Sequence, residues 1–215
     1  MTDWRKALTW LGFSVGAVAL VLQFVISMQL YLANGRDVPG ALGMFFSYYT
    51  IITNIILVQI YLSELTTWRW IELFRHPVTR AMMAAAMTLV MTFVHFFLRG
   101  LTDLSGLFLL CDTLLHYATP IIYLVWWLSV ARHGALGFRN MPAMLVPTFI
   151  YFLYAMARGA WVQEYPYPIL NAIQLGYGQV ILNAVFMTIG LGALVAVVIL
   201  VDRTLALRQS AKGQR

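Results

Sequence analysis

Asp112, His116 and Thr50 are the residues of this sequence whose types and spacing point most clearly to chemistry. Asp112 and His116 stand four positions apart inside a long apolar segment, so a helix would present both on one face, one turn apart. An imidazole is the usual general base near neutral pH. The hydroxyl of Thr50 becomes a nucleophile when such a base takes its proton. These residue types permit Thr50 to act as a nucleophile and His116 as its base, with Asp112 either orienting the imidazole or pairing with an arginine, although spacing alone is a weak signal for an enzyme.

Five further polar residues lie within or at the ends of apolar segments and are candidate substrate-binding groups: Asn54, His95, Arg99, Arg158 and Asn183. The amide of Asn54 or of Asn183 can donate to an oxyanion that forms during ester cleavage. Arg99 and Arg158 can hold a carboxylate or a phosphate through charge-assisted hydrogen bonds, and either is also the arginine that could pair with Asp112. We expect no metal and no other cofactor in this mechanism.

The elements that must position these residues are membrane-spanning helices. Apolar residues make up 61% of the 215-residue chain and charged residues 10%, against about 45–50% and about 25% in soluble domains. A bilayer core about 30 Å thick requires about 20 apolar residues per helix. Six segments qualify, approximately residues 8–32, 42–64, 80–99, 107–131, 142–161 and 178–201. The sequence predicts an all-α, six-transmembrane-helix bundle that forms a single domain.

The positive charges predict how this bundle is oriented. Eleven of the 14 Lys and Arg residues fall in the termini and in alternate connections: Arg5, Lys6, Arg69, Arg75, Arg80, Arg132, Arg139, Arg203, Arg208, Lys212 and Arg215. Cytoplasmic segments carry such an excess, so we expect both termini in the cytoplasm of a multi-pass plasma membrane protein, of the bacterial inner membrane type. The net charge of +6 is thereby explained without a nucleic-acid partner. The single cysteine, Cys111, excludes a disulfide framework.

This orientation puts the polar residues in the outer half of the bilayer. Polar and charged side chains are costly against lipid, so they should converge inside the bundle. We predict a polar cavity that faces the outer leaflet and is closed on the inner side by apolar packing. Thr50 and His116 fall at similar depth on different helices and should meet across that cavity.

Three motifs lie in or beside the predicted spans: Phe46-Ser47-Tyr48-Tyr49-Thr50-Ile51-Ile52-Thr53-Asn54, then Asp112-Thr113-Leu114-Leu115-His116-Tyr117-Ala118-Thr119-Pro120, and Tyr165-Pro166-Tyr167-Pro168-Ile169-Leu170-Asn171 followed by Gly176-Tyr177-Gly178 and Asn183. In this order they resemble the motifs of a bacterial six-span membrane family related to the eukaryotic androgen-induced and androgen-dependent membrane threonine hydrolases. The eukaryotic relatives hydrolyse fatty acid esters of hydroxy fatty acids with a threonine and a histidine. The resemblance implies Thr50 as nucleophile, His116 as base, and a lipid or fatty-acid ester as substrate.

Several alternatives remain open from the sequence. Thr53 is a second candidate nucleophile one turn from Thr50. A transporter or channel would also need a polar cavity with ionisable groups. A zinc hydrolase would use His95, His116 and Asp112, and a haem protein would use the two histidines.

Overall fold

The computed structural model describes residues 3–100 and 103–213, with side chains described up to residue 208, and every element in these ranges is helical. The α-helices are α1 (Asp3–Ala33), α2 (Val38–Phe45), α3 (Tyr49–Leu65), α4 (Pro77–Phe93), α5 (Gly106–Thr113), α6 (Thr119–Val130), α7 (Met141–Val162) and α8 (Ala172–Gly213). Two π-helical turns extend α4 and join α5 to α6, namely Val94–Leu98 and Leu114–Ala118. Short 3₁₀ turns lie in the connections at Arg69–Arg75, Phe138–Asn140 and Pro168–Leu170. The predicted all-α class is confirmed.

The described helices account for five or six membrane spans. Five are continuous and both long and apolar enough to cross a bilayer: Asp3–Ala33, Pro77–Leu98, Gly106–Val130, Phe138–Val162 and Ala172–Arg208. The sixth candidate is the pair formed by α2 and α3, which is bent by 74°. The multi-pass membrane character expected from the composition is therefore confirmed at this level.

The second predicted span, residues 42–64, is not one continuous helix. Helix α2 begins earlier, where Asp37 Oδ1 accepts a hydrogen bond from the Gly40 N–H at 2.9 Å, and it ends at Phe45. The Ser47 hydroxyl donates to the Met44 carbonyl at 2.7 Å, and the Ser47 N–H donates to the same oxygen at 3.1 Å. This local bonding competes with continuation of the helix. The length of an apolar segment does not indicate whether its helix is continuous, so the sequence analysis did not predict this break.

The hydrophobic core packs around the C-terminal half of α3, away from Thr50 at its N-terminus. Tyr61 is fully buried and lies eleven residues beyond Thr50, roughly 16 Å along the helix. Trp126 is also buried, and its indole N–H donates to Thr9 Oγ1 at 2.9 Å. On α1, a Cβ at Gly12 would stand 2.2 Å from the Tyr61 ring. Only glycine permits this approach of α1 to α3, so this end of the bundle is tightly packed.

A buried hydrogen-bonded pair, His133 and Asp202, holds the connection between α6 and α7 against α8. Asp202 Oδ1 lies 3.1 Å from His133 Nδ1, and the other carboxylate oxygen accepts the N–H groups of Gly134 and Leu136 at 3.0 and 3.1 Å. The two ionisable side chains are 3% and 1% exposed. One carboxylate thus satisfies three donors in a site closed to solvent.

Candidate active site

Thr50 stands in the first turn of α3, directly after the break that separates α2 from α3. Tyr48 is extended there, with φ −79° and ψ 127°, and α3 begins at Tyr49. The first N–H groups of a helix have no partner within the helix, and the helix dipole makes this end positive. The break therefore gives Thr50 both a positive local field and a backbone N–H without a helical acceptor.

His116 and Asp112 form a hydrogen-bonded chain with the Thr50 hydroxyl. His116 Nε2 lies 3.2 Å from Thr50 Oγ1, and His116 Nδ1 lies 2.8 Å from Asp112 Oδ1. A carboxylate only accepts hydrogen bonds, so Nδ1 donates to Asp112, which leaves Nε2 facing the Thr50 hydroxyl. The residues predicted as nucleophile, base and orienting carboxylate are thus in contact. Asp112 is bonded to His116 rather than to an arginine.

The π-helical turn Leu114–Ala118 sets the position of His116. Within it the Thr119 N–H donates to the Leu114 carbonyl. In that register the next N–H would come from Pro120, which has none, so the Leu115 carbonyl is left without its backbone donor. The Asn54 amide donates to that carbonyl instead, at 3.3 Å, and the Thr119 hydroxyl oxygen lies 3.2 Å from it.

Asn54, predicted to bind substrate, is engaged in hydrogen bonds within the protein at this site. It is fully buried, and its Nδ2 also donates to the Thr50 carbonyl at 2.9 Å. Its Oδ1 accepts the Thr119 hydroxyl at 2.6 Å. Both N–H groups of the amide are occupied, so neither is free for an oxyanion. Asn54 fixes α3 against the π-helical turn and so fixes the distance between Thr50 and His116.

Tyr167 is a site residue that the sequence analysis did not single out. Its hydroxyl lies 3.4 Å from both Thr50 Oγ1 and the Thr50 N–H. Desolvation raises the pKa of this phenol, so it stays protonated and able to donate. The signal in the sequence was the Tyr-Pro-Tyr-Pro motif, which the two prolines stiffen, but the motif does not say which tyrosine turns inward.

A polar cavity of about 860 Å³ opens in front of the three bonded side chains. Asp112, His116 and Thr50 line it together with Arg99 and Asp103. Arg99 is exposed at this cavity and has no carboxylate within 4 Å in the described part of the chain. The cavity thus combines a bonded Thr–His–Asp chain with an available guanidinium.

An apolar cavity of about 460 Å³ meets the polar one at Thr50. It lies among α4, α7 and α8 and is lined by leucine, valine, isoleucine and aromatic side chains. Thr50, Val94 and Tyr167 line both cavities. The Thr50 hydroxyl therefore stands where a polar space and an apolar space join.

Three predicted substrate-binding residues line neither of the cavities that meet at Thr50. Arg158 is held by Glu164, with Nη2 3.5 Å from its carboxylate and Nη1 donating to its carbonyl at 3.1 Å. Asn183 donates to the Ile169 carbonyl at 2.9 Å and so anchors the Tyr-Pro-Tyr-Pro loop. His95 is exposed and lies against Tyr117, with ring centroids 6.3 Å apart, and lines neither cavity.

The competing site predictions are also weakened by the geometry. The Thr53 hydroxyl is buried and bonds back to the Tyr49 and Thr50 carbonyls of its own helix, at 2.9 and 3.1 Å. Thr53 is therefore not the hydroxyl that His116 contacts. Among the described residues no three His, Cys, Asp or Glu side chains are grouped as metal ligands.

Comparisons with protein-family models, with curated proteins and with solved structures found no match for this chain. The features of this chain that bear on its function are the geometry of the Thr50 site and the sequence motifs around it.

Proposed function

We propose that this protein is an intramembrane hydrolase of amphiphilic fatty-acid esters. The observation that carries the proposal is the chain Thr50 Oγ1–His116 Nε2 and His116 Nδ1–Asp112 Oδ1, at 3.2 and 2.8 Å, facing a cavity. A nucleophile, a base and a group that orients the base are the three parts required for nucleophilic acyl transfer. The resemblance of the surrounding motifs to those of membrane threonine hydrolases supports the same chemistry.

In the first half-reaction His116 Nε2 takes the hydroxyl proton of Thr50, and Oγ1 attacks the ester carbonyl carbon. The bond from that carbon to the alcohol oxygen breaks, and Nε2 returns the proton to the departing alcohol. In the second half-reaction water attacks the acyl group on Oγ1 while Nε2 takes a proton from the water. Thr50 leaves as the hydroxyl, so the net reaction converts ester and water to acid and alcohol.

The negative charge that develops on the carbonyl oxygen needs donors, and we assign them to Tyr167 and to the first turn of α3. The Thr50 N–H donates to the Tyr167 hydroxyl over a long 3.4 Å, and both groups adjoin Oγ1, so an oxyanion formed there would replace the phenol oxygen as the acceptor of this N–H. The helix dipole adds favourable field at this end of α3. Preorganised donors of this kind contribute about 10²–10³-fold each to the rate.

Arg99 is the group we assign to the charged end of the substrate. A guanidinium binds a carboxylate or a phosphate through two parallel hydrogen bonds. Arg99 lines the same cavity as His116 and has no described ion-pair partner there. An ester with an anionic end in the polar cavity would therefore be favoured over a neutral one.

We also propose how the protein lies in the membrane. Counting α2 and α3 as one broken span gives six spans, and the excess of Lys and Arg in the termini and alternate connections then favours both termini in the cytoplasm. Thr50 would lie in the outer half of the bilayer of a plasma membrane, of the bacterial inner membrane type. An ester could then enter sideways from the outer leaflet.

The test is hydrolysis of a lipid ester by the purified protein in detergent or in proteoliposomes. Thr50→Val and His116→Ala should each lower kcat by at least about 10³-fold, whereas Thr50→Ser, which keeps a hydroxyl, should retain measurable activity. A fluorophosphonate probe should label residue 50, as mapped by mass spectrometry. Undiminished hydrolysis in both Thr50→Val and His116→Ala would reject the proposal. Flux of the ester across proteoliposomes without hydrolysis would favour transport instead.

A further inference from the structure

Away from its junction with the polar cavity, the described wall of the apolar cavity is almost entirely hydrocarbon. Of the hydroxyls away from the junction, Thr148 Oγ1 is paired with Tyr49 OH at 2.8 Å, and Thr188 Oγ1 donates to the Ala184 carbonyl at 2.8 Å. The Tyr151 hydroxyl donates to the Ser47 carbonyl at 2.9 Å. A charged or hydrogen-bonding ligand would lose its water there without compensation, so the space suits hydrocarbon.

The positions of the proton-transferring groups decide which half of an ester occupies this cavity. His116, Asp112 and Arg99 line the polar cavity and are absent from the walls of the apolar one. The departing alcohol must receive its proton from His116 Nε2, so the alcohol must leave on the polar side. The acyl chain, which stays attached to Thr50 Oγ1, must then extend to the other side.

We propose that the cavity among α4, α7 and α8 is the acyl-chain site and that its length selects the chain transferred to Thr50. This inference rests on the proposed esterase function and adds the orientation of the ester and a length limit. The wall formed by α8 runs from Ile181 to Leu191, ten residues or roughly 15 Å. That is half of a bilayer core of about 30 Å, the depth that one acyl chain of a leaflet fills. The cavity volume of about 460 Å³ is within the range of small-ligand sites.

Ala184→Phe tests the proposal because residue 184 lies on this wall, less than one turn below Ile181. The added ring should shorten the cavity. For p-nitrophenyl esters the ratio of kcat/KM for palmitate to kcat/KM for acetate should fall at least tenfold. Ala193→Phe on the same helix is the matched control, since residue 193 is exposed and lines neither cavity, and it should leave the ratio at the wild-type value.

A second substrate series distinguishes an ester whose acyl chain lies in the apolar cavity from one whose alcohol lies there. Acetate esters of short and long alcohols vary only the departing half, so Ala184→Phe should leave their ratio unchanged. A loss confined to long alcohols would overturn the assignment, as would an unchanged palmitate-to-acetate ratio in an active Ala184→Phe protein. In both cases the esterase function would stand. If Ala184→Phe fails to fold, Val185→Phe, on the same wall and exposed, takes its place. Absence of hydrolysis of every ester by the wild type would reject function and inference together.

Discussion

The described part of the chain contains two His–Asp pairs that have nearly the same hydrogen bond but opposite surroundings. His116 Nδ1 lies 2.8 Å from Asp112, and His133 Nδ1 lies 3.1 Å from Asp202. The side chains of the first pair are 18% and 27% exposed and line a cavity, whereas those of the second are 1% and 3% exposed. The bond itself therefore does not distinguish a catalytic pair from a structural one.

The difference lies in what else each residue contacts. Nε2 of His116 meets the Thr50 hydroxyl, while Nε2 of His133 is buried without a hydrogen-bond partner in the described structure. The second oxygen of Asp202 is occupied by two backbone N–H groups. A histidine acts as a base only when its free nitrogen faces a proton to be moved. By this criterion the first pair is suited to chemistry and the second to holding the fold.

The largest expected effect is on activity at the first pair. In Asp112→Asn an amide N–H would face His116 Nδ1, which would then be the acceptor, so Nε2 would carry the proton and could not take one from Thr50. We expect kcat for ester hydrolysis to fall by about 10³–10⁴-fold. Thermal unfolding in detergent should change little, because the Asp112 side chain is partly exposed. Activity within tenfold of wild type would mean that Asp112 is not the orienting group.

The next effect in size is on stability at the second pair. Asp202→Ala leaves the His133 imidazole and two backbone N–H groups buried without an acceptor, and breaking a buried pair costs about 3–5 kcal/mol. The free energy of unfolding should fall by that amount, while kcat per folded molecule should stay at the wild-type value. If Asp202→Ala abolished hydrolysis in protein that unfolds like the wild type, the distinction between the two pairs would fail.

The smallest expected effect is on stability at a third pair, Glu164 and Arg36, which is more exposed to solvent than the two His–Asp pairs. Glu164 binds Arg36 through both oxygens, at 2.6 and 2.9 Å, with about a third of each side chain exposed. The Arg36 hydrogen bond lowers the pKa of Glu164 below its ordinary value of 4.5. The pair therefore contributes fully to the free energy of unfolding above the ordinary pKa of 4.5, and this contribution is lost as the pH falls through the lowered pKa of Glu164. Because the pair is partly exposed, we expect it to contribute less than about 1 kcal/mol to the free energy of unfolding.

Melting temperatures of wild type and Glu164→Gln, measured from neutral pH down to acid, check this estimate. The two curves should differ at neutral pH and converge as Glu164 becomes protonated. A constant difference at every pH would assign the effect to packing rather than to charge.

Much of the fold and part of the site follow from the sequence. Apolar length predicted the helices, because a bilayer requires it and few other structures do. Residue counting along two helices predicted that Thr50 and His116 would be neighbours, since rise per residue is fixed in a helix. The distance between their side chains, 3.2 Å, agrees with that expectation.

The roles of the remaining polar residues could not be predicted in this way. Asn54 and Asn183 are polar residues inside apolar segments, the same signal that singled out His116. Both donate to backbone carbonyls, which need hydrogen-bond donors inside a membrane because no water is available there. Pattern alone cannot tell these two demands apart. Tyr167 was missed for a related reason, since the path of its loop depends on the bond from Asn183 to Ile169.

The π-helical turn Leu114–Ala118 affects how the molecule tolerates a deletion in its sequence. One surplus residue in a turn rotates the two halves of a helix by about 100° relative to each other. Asp112 lies before this phase shift, and Trp126, in the packed core, lies after it. Deletion of a single residue there would turn Asp112 away from α3 while the aromatic interior kept its register. A change of one codon in this turn would therefore separate Asp112 from Thr50 without replacing either residue.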